Sequence, residues 1–175
     1  MPVIIGLVGK KYSGKDTCAE YMIRNYGFKR MAFADPLKLY CKKKYELKNS
    51  QLEEDKDKLD MRWGVTPREM FKDAGMKGRE FDRGYWVNKV RLDVLNSTRN
   101  SQIVITDVRF ENEATFIKNN GGILVQVQRE ECDQDDDHVS EKEMDSIKTD
   151  YSISNNSTLK CLNDTIDMVL DSIYK

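Results

Sequence analysis

A short glycine-rich segment, residues 9–17, contains the side chains best suited to chemistry. It has the sequence GKKYSGKDT and matches the pattern G-x-x-x-x-G-K. It lies between an apolar, β-branched run and a segment with helical periodicity, which is the context that this motif requires. Backbone N–H groups of such a loop can surround a phosphate, and the following helix adds the positive end of its dipole. The segment predicts a phosphate-binding loop that uses Gly9, Ser13, Gly14 and Lys15.

Lys15 and the two residues after it are the candidates for the reaction itself. Lys15 would bridge the outer phosphates of a nucleotide and neutralise the charge that develops during phosphoryl transfer. The usual motif continues with Ser or Thr as a magnesium ligand, whereas this chain has Asp16 there. Magnesium prefers oxygen ligands and keeps several waters. Asp16 could therefore hold the ion directly or through water, or Thr17 could supply the hydroxyl. A chance glycine turn with surface lysines is the competing interpretation.

Charged residues also follow later strand-like segments. In an open parallel sheet, ligands bind at the carboxyl ends of the strands. Asp107 could hold the water shell of a metal or a sugar hydroxyl, and the planar guanidinium of Arg109 suits the phosphate of an acceptor. A structural Asp–Arg pair that caps the next helix is the alternative. Arg129 ends another strand-like run and could stabilise the transferring phosphoryl group, or it could be a surface charge.

Further candidates for binding an anionic ligand lie between residues 36 and 100. Arg68 occupies the first turn of a predicted helix, where the helix dipole disfavours a cation, and this placement hints at ligand binding. Arg79 is a candidate of the same kind. Lys38 could reach the phosphate of an acceptor, but it could equally be a solvated lysine. Trp86 lies in an apolar helical stripe, which is more typical of a core residue than of one that stacks on a base.

These side chains would be positioned by alternating strands and helices. Apolar runs predict strands at 3–8, 28–34, 103–106, 123–127 and 151–153. Helical periodicity predicts intervening helices. One of these begins at Thr66-Pro67-Arg68-Glu69 and is expected to end at Gly75 and Gly78. Residues 42–60 are rich in Lys, Glu and Asp, and predict a solvated helix or a mobile excursion. The alternation predicts the α/β class with a parallel sheet.

Composition excludes several classes of protein. The 175 residues include 29 Lys and Arg against 30 Asp and Glu, and this balance argues against a generally basic nucleic-acid binder. No apolar run approaches the roughly 20 residues needed to span a bilayer. The four cysteines are far apart in sequence, which predicts unpaired thiols in a reducing, cytoplasmic setting. The length predicts one domain.

Several segments, in order along the chain, resemble viral and bacteriophage deoxynucleoside monophosphate kinases. The loop GKKYSGKDT is similar to their phosphate loop, and its SGKD variant also resembles animal-type phosphomevalonate kinase. The remaining similar segments are FADPLK at 33–38, TPREMF at 66–71, GR at 78–79, FDRGYWV at 81–87, VITDVRFENE at 104–113, DHVSE at 137–141 and YSISNN at 151–156. The resemblance implies a three-layer P-loop NTPase sandwich. It implies a single kinase domain over 1–175, with a helical acceptor-binding region at about 36–100 and a lid at about 129–141.

The same resemblance implies an enzyme that transfers a phosphoryl group from ATP, with Mg²⁺, to a deoxynucleoside monophosphate. The implied catalytic residues are Lys15, Asp107 and Arg129, and Asn155 lies in a turn near the donor adenine. The implied acceptor site comprises Asp35, Lys38, Arg68, Arg79, Trp86, Asp107 and Arg109. The expected partners are the two nucleotides, with no nucleic-acid polymer and no membrane, and a homodimer is left open. The expected location is the cytoplasm, that of the host cell if the protein is viral.

Two other functions stay open at this point. Another small-molecule phosphate kinase, phosphomevalonate kinase in particular, would not need a base-sized apolar slot for its acceptor. A nucleotide-binding switch or assembly ATPase would hydrolyse ATP slowly whether or not a monophosphate is present. The density of arginines between Arg62 and Arg91 favours a second anionic ligand, and therefore a kinase.

Overall fold

Five parallel strands form the framework of the protein in the computed structural model, which describes residues 3–97, 100–130 and 143–174. The strands are β1 (Val3–Val8), β2 (Lys29–Met31), β3 (Gln102–Val108), β4 (Ile123–Gln128) and β5 (Tyr151–Ser154). Their order across the sheet is β2-β3-β1-β4-β5, and every neighbouring pair is parallel. The longer helices are α1 (Lys15–Tyr26), α2 (Ala34–Tyr45), α3 (Pro67–Phe81), α4 (Tyr85–Leu95), α5 (Glu111–Asn119) and α6 (Leu159–Ile173).

The chain divides into two compact units. The sheet unit comprises Met1–Ala32 and Asn96–Lys175, and the helical unit comprises Phe33–Leu95. The helical unit contains α2, α3 and α4 and includes most of the region in which sequence reasoning places the acceptor site. Among the described residues, none of the helices combines the length and the apolar character that crossing a bilayer requires.

Helices cover both faces of the sheet, and this explains why β1 is apolar without alternation. Ile5 and Leu7 pack into one core with α1 and α6, which contribute Cys18, Met22, Ile166 and Leu170. On the opposite face, a Cβ added at Gly6 would lie 2.5 Å from Ile117 of α5. A strand buried on both sides has no polar face. The predicted α/β class with a parallel sheet between helix layers is confirmed.

The helix that follows the phosphate-binding loop is held firmly at its far end. Gly27 adopts a left-handed conformation, and its N–H donates to the carbonyls of Met22 and Ile23, which ends α1. The hydroxyls of Tyr21 and Tyr26 both donate to Asp167 of α6, at 2.9 Å and 2.6 Å. The hydrogen bond to Asp167 raises the pKa of Tyr26 to about 12. These contacts join the C-terminal half of α1 to α6.

In the helical unit, the start of α3 is confirmed and its predicted end is wrong. Thr66 and Glu69 form the expected capping box, with Pro67 at the first helical position. The helix then continues through Gly75 and Gly78 to Phe81. Trp86 of α4 lies against Gly78, where an added Cβ would lie 2.6 Å from the indole Nε1, and that N–H donates to the Gly75 carbonyl at 3.1 Å. Gly78 therefore allows the Trp86 ring to approach α3 closely, and neither glycine breaks the helix.

Smaller differences concern element ends. The second strand covers only Lys29–Met31, and α2 begins at Ala34, two residues before Pro36. Part of the charged stretch at 42–60 is anchored, because Leu47 is buried in a core with Cys41, Met70 and Ala74. Cys18, Cys41 and Cys161 are unpaired thiols, as expected. Cys132 lies outside the described residues.

Asp60 is the buried end of this charged stretch. Its carboxylate accepts hydrogen bonds from the Arg62 side chain at 2.6 Å and 3.0 Å, and from the Gln51 amide at 2.9 Å. The hydrogen bonds from Arg62, followed by that from Gln51, hold the pKa of Asp60 well below its usual range. A carboxyl whose pKa is lower in the folded state stabilises the fold above its unfolded pKa of about 3.9.

We expect Asp60→Asn to lower the thermal unfolding midpoint by several degrees at neutral pH. The difference from the wild type should shrink as the pH falls below about 4, where the carboxyl of the unfolded chain takes up a proton, and should vanish only below the lowered pKa of the folded carboxyl. Thermal unfolding, monitored by circular dichroism at a series of pH values, gives the midpoint difference at neutral pH and its change as the pH falls. The control is Asp73→Asn, which breaks an exposed pair with Lys77 and should have little effect. Equal midpoints for Asp60→Asn and the wild type at pH 7 would contradict a stabilising network.

Candidate active site

The loop between β1 and α1 has the backbone geometry of a phosphate-binding loop. Gly14 precedes α1 with φ 100°, a conformation that side-chain-bearing residues rarely adopt. A Cβ added at Gly14 would also collide with the side-chain amide of Asn155. At Gly9, an added Cβ would lie 2.8 Å from Ser13 Oγ and would collide with the Val127 carbonyl. Both glycines are therefore required for the loop to close on itself and against β4.

Lys15 lies across this loop. Its ammonium donates to the carbonyl oxygens of Gly9 at 2.5 Å and of Lys10 at 2.6 Å, and it lies 3.4 Å from Ser13 Oγ. Ser13 itself is 1% exposed. The loop carbonyls thus hold a positive charge at the mouth of the loop, where it can contact the outer phosphates of a bound nucleotide.

Asp16 and Thr17 occupy the first turn of α1, and both are exposed. A carboxylate there is favoured by the helix dipole by about 0.3–1 kcal/mol. A carboxylate and a hydroxyl beside the lysine are oxygen donors of the kind that Mg²⁺ accepts alongside phosphate and water. In the part of the chain that the structure describes, no cluster of three or more His, Cys, Asp or Glu residues forms a protein-only metal site. One carboxylate and one hydroxyl fit an ion held jointly with a phosphate and water.

The carboxyl end of β3 lies beside the loop. β1 and β3 are paired with Val8 opposite Val108, so Gly9 and Arg109 follow paired residues of neighbouring strands. Asp107 is the penultimate residue of β3, where the sequence predicted that it would follow the strand. Both Asp107 and Arg109 are half-buried. The structure therefore brings these two residues to the same sheet edge as the phosphate-binding loop.

Glu113 is a residue that sequence reasoning did not select. It is 5% exposed, and its carboxylate accepts the backbone N–H groups of Arg109 at 2.8 Å and Phe110 at 3.1 Å. Its position at the third residue of α5 is the indication that was available, because Glu there commonly caps a helix start. Glu113 fixes the backbone that carries Arg109.

A cleft of about 500 Å³ opens at the carboxyl ends of β1, β4 and β5. Arg129, one residue beyond β4, lines it and is exposed. The other lining residues are mainly polar: Gly9, Lys10, Ser13, Gln126, Val127, Gln128, Glu130, Met144, Asp145, Ser154 and Asn156. The amides of Gln126 and Gln128 were not singled out from the sequence, because strand-end glutamines have no distinguishing pattern. The remainder of the predicted lid, residues 131–141, lies outside the described residues.

The turn after β5 contacts both the loop and the end of β4. Asn155 Nδ2 donates to the Ser13 carbonyl at 2.9 Å, and the Asn155 N–H donates to the Gln128 carbonyl at 2.7 Å. Asn156 and Glu130 exchange two hydrogen bonds, each of 2.9 Å. Asn155 is therefore next to the loop, and the place near the donor adenine that the resemblance implies for its turn stays a prediction.

The remaining predicted acceptor residues lie in the helical unit. The Arg68 guanidinium forms a bidentate pair with the Asp57 carboxylate, and Lys38 Nζ lies 2.6 Å from Glu53 Oε1. Trp86 is 7% exposed and packs against α3, as expected of a core residue. Asp35 lies in the first turn of α2 and Arg79 in the last turn of α3. Acceptor binding by these residues stays a prediction.

Comparison with known proteins identifies the family. A family model described as deoxynucleotide monophosphate kinase matches residues 3–66 and 75–166. The chain belongs to the deoxynucleotide monophosphate kinase family. It is also 40% identical over 177 residues to a protein of Acanthamoeba polyphaga mimivirus named as a deoxynucleotide monophosphate kinase, with 90% of this chain and 91% of that protein covered. The resemblance seen in the sequence is confirmed, and this member of the kinase family is a nucleotide kinase.

Solved structures show the fold of this kinase. Shikimate kinase from Aquifex aeolicus superposes with a TM-score of 0.53 at 17% identity, over 98% of each chain. The protein TT1252 from Thermus thermophilus gives a TM-score of 0.56 at 15% identity, over 98% of this chain and 97% of that one. At such identities the likeness concerns the fold alone, and it confirms the three-layer P-loop architecture.

Proposed function

We propose that the protein transfers the γ-phosphoryl group of ATP to a deoxynucleoside monophosphate, which gives ADP and the deoxynucleoside diphosphate. The observation that carries the proposal is the β1–β3 pairing, which places Arg109 beside the phosphate-binding loop. A loop for the donor phosphates and a guanidinium at the neighbouring strand end are what a reaction between two phosphate-bearing substrates requires. Membership of the family supports the same substrate class.

In the proposed reaction, a phosphate oxygen of the acceptor attacks the γ-phosphorus of ATP. The bond from that phosphorus to the β–γ bridging oxygen breaks, and ADP leaves. The protein contributes position and positive charge, without a covalent intermediate. Lys15 neutralises charge on the transferred group, and the loop N–H groups bind the donor phosphates. Arg129, from the mouth of the cleft, adds a second cation to that group.

The acceptor is assigned to the other side of the loop. Arg109 binds its phosphate, because a planar guanidinium can donate two parallel hydrogen bonds to phosphate oxygens. Asp107 accepts a hydrogen bond from the sugar hydroxyl of the acceptor or from water around the metal. In the helical unit, Asp35, Lys38, Arg68, Arg79 and Trp86 are proposed as further acceptor-binding residues.

Mg²⁺ would be held by Asp16, directly or through water, or by the hydroxyl of Thr17. When bound, the ion neutralises charge on the donor phosphates. The exposed Asp16 carboxylate at the start of α1 keeps its oxygens available for this role.

We expect Asp16→Ala to raise the Mg²⁺ concentration that gives half-maximal activity by about tenfold, the order of effect expected when a site loses one carboxylate contact. Binding of ATP in the absence of the ion should change little. Magnesium titrations of turnover, alongside calorimetry of metal-free ATP, separate the two quantities. Glu20→Ala removes an exposed carboxylate one turn later in α1 and is the matched control. An unchanged magnesium titration would move the role to Thr17 or Asp107.

The proposed reaction is tested by an ADP-release assay with ATP, Mg²⁺ and a panel of acceptors. The panel contains the four deoxynucleoside monophosphates, their ribose counterparts and phosphomevalonate. ADP release that depends on a deoxynucleoside monophosphate is the expected result. Release with phosphomevalonate alone would support the other kinase that the SGKD loop resembles. Slow release that no acceptor stimulates would instead indicate an ATPase.

A further inference from the structure

We propose that Asn155 is a positioning residue that sets the conformation of the phosphate-binding loop, and that it does not act on the donor base. The proposal rests on the proposed function only in that the loop binds a triphosphate. Asn155 Nδ2 donates to the carbonyl oxygen of Ser13 at 2.9 Å, across 142 residues of sequence. It is therefore bonded to the backbone of the loop itself.

This hydrogen bond controls the direction of a loop N–H group. The peptide unit between Ser13 and Gly14 is planar and trans, so its C=O and N–H bonds point in opposite directions. While Asn155 holds the Ser13 carbonyl, the Gly14 N–H points away from Asn155. A loop that binds phosphate through its N–H groups depends on such orientations, because a preformed donor needs no reorganisation when the ligand arrives.

The loop and the amide are also in steric contact. Gly14 has φ 100°, and a Cβ added there would collide with Asn155 Nδ2. The contact leaves no space for a side chain between the loop and the turn after β5. The same Nδ2 atom of Asn155 therefore restricts the loop twice, by packing against Gly14 and by its hydrogen bond to the Ser13 carbonyl.

Asn155 is itself fixed by the end of β4. Its N–H donates to the Gln128 carbonyl at 2.7 Å, and the adjacent Asn156 exchanges two hydrogen bonds with Glu130. A positioning side chain is effective only when its own backbone is held by its surroundings. The turn after β5 therefore couples the loop to the segment that carries Arg129.

The test compares two ligands that share three linked phosphates, of which only ATP also carries a nucleoside. ATP and inorganic tripolyphosphate are titrated by calorimetry, with Mg²⁺ present, against the wild type, Asn155→Ala and Asn155→Leu. Both variants lack the amide, and leucine keeps a side chain that branches at Cγ, whereas alanine removes the branch. We expect each variant to bind ATP and tripolyphosphate more weakly by the same factor, about tenfold, because one hydrogen bond that orders the binding site is lost. Thermal unfolding midpoints close to that of the wild type show that the variants are folded.

The matched control is Asn25→Ala. Asn25 makes the same kind of bond, from its side-chain amide to the Tyr21 carbonyl at 3.0 Å, but within α1 and away from the loop. The Asn25→Ala variant should bind ATP and tripolyphosphate as tightly as the wild type does. Weaker ATP binding with unchanged tripolyphosphate binding would overturn the proposal, because Asn155 would then contact the base. Unchanged binding of both ligands would overturn it as well. A wild-type protein that binds neither ligand would overturn the proposed function together with this inference.

Discussion

Replacing Lys15 with alanine should reduce turnover on the order of a thousandfold, while the fold is retained. The Lys15 ammonium is held at the mouth of the loop by the carbonyls of Gly9 and Lys10, and in the proposed reaction it contacts the outer phosphates of ATP. Loss of one preorganised charge that stabilises the transition state typically costs 10²–10³-fold in rate, about 2.7–4 kcal/mol. Single-turnover measurements with saturating ATP and acceptor determine the rate of the chemical step.

Lys11→Ala is the control for this variant. Lys11 lies in the same loop, but its ammonium is 4.7 Å from the centre of the exposed Tyr12 ring. It should retain most of the wild-type rate. A Lys15→Ala enzyme with nearly wild-type turnover would contradict the assignment of the loop as the site of phosphoryl transfer.

Replacing Arg109 with alanine should weaken binding of the acceptor monophosphate by about ten- to a hundredfold and leave ATP binding unchanged. A hydrogen bond between two charged groups contributes roughly 1.5–3 kcal/mol, and Arg109 is held at the sheet edge by the contact of its N–H with Glu113. Arg109→Lys should restore only part of the loss, because the bidentate geometry is absent. Dissociation constants for ATP and for the acceptor are measured separately.

Arg24→Ala controls for the loss of a positive charge, because Arg24 is an exposed arginine of α1 that pairs with Glu20. The same measurement on Arg68→Ala tests the helical unit. Because Arg68 is paired with Asp57, Asp57→Ala is its control, which breaks the pair and keeps the arginine. Weaker ATP binding with unchanged acceptor binding in Arg109→Ala would show that the two sites are assigned the wrong way round.

The sequence predicted the sheet unit well because local patterns determine it. A β-branched run, a glycine loop and a helix start are each specified by adjacent residues, and β1, the loop and α1 lie where these patterns place them. The helical unit was less predictable. Gly75 and Gly78 have the local character of helix breakers, yet α3 passes through both, with Trp86 packed on Gly78 and hydrogen-bonded to the Gly75 carbonyl. Tertiary packing of this kind is invisible in a single stretch of sequence.

The candidate site shows the same distinction. Lys15, Asp16 and Arg109 could be found from spacing and from their position after strands. The bond from Asn155 to Ser13 could not, because it joins residues 142 positions apart in sequence. For Glu113 the sequence offered only its place in the first turn of α5, which does not show that it also accepts the N–H of Arg109. The pairing of Arg68 with Asp57 likewise depends on how residues 53–60 return to α3.

The parallel order of the strands has a consequence for how the protein acquires its activity. β1 pairs with β3, about a hundred residues later, and the loop at 9–17 is completed by a turn at 155. Contacts so distant in sequence form slowly, because a long stretch of chain must be ordered before they contribute. During synthesis, the loop emerges early and receives its Asn155 contact only when β5 has joined the sheet. Nucleotide binding would then favour the last steps of folding, since a ligand of the native state stabilises that state by mass action.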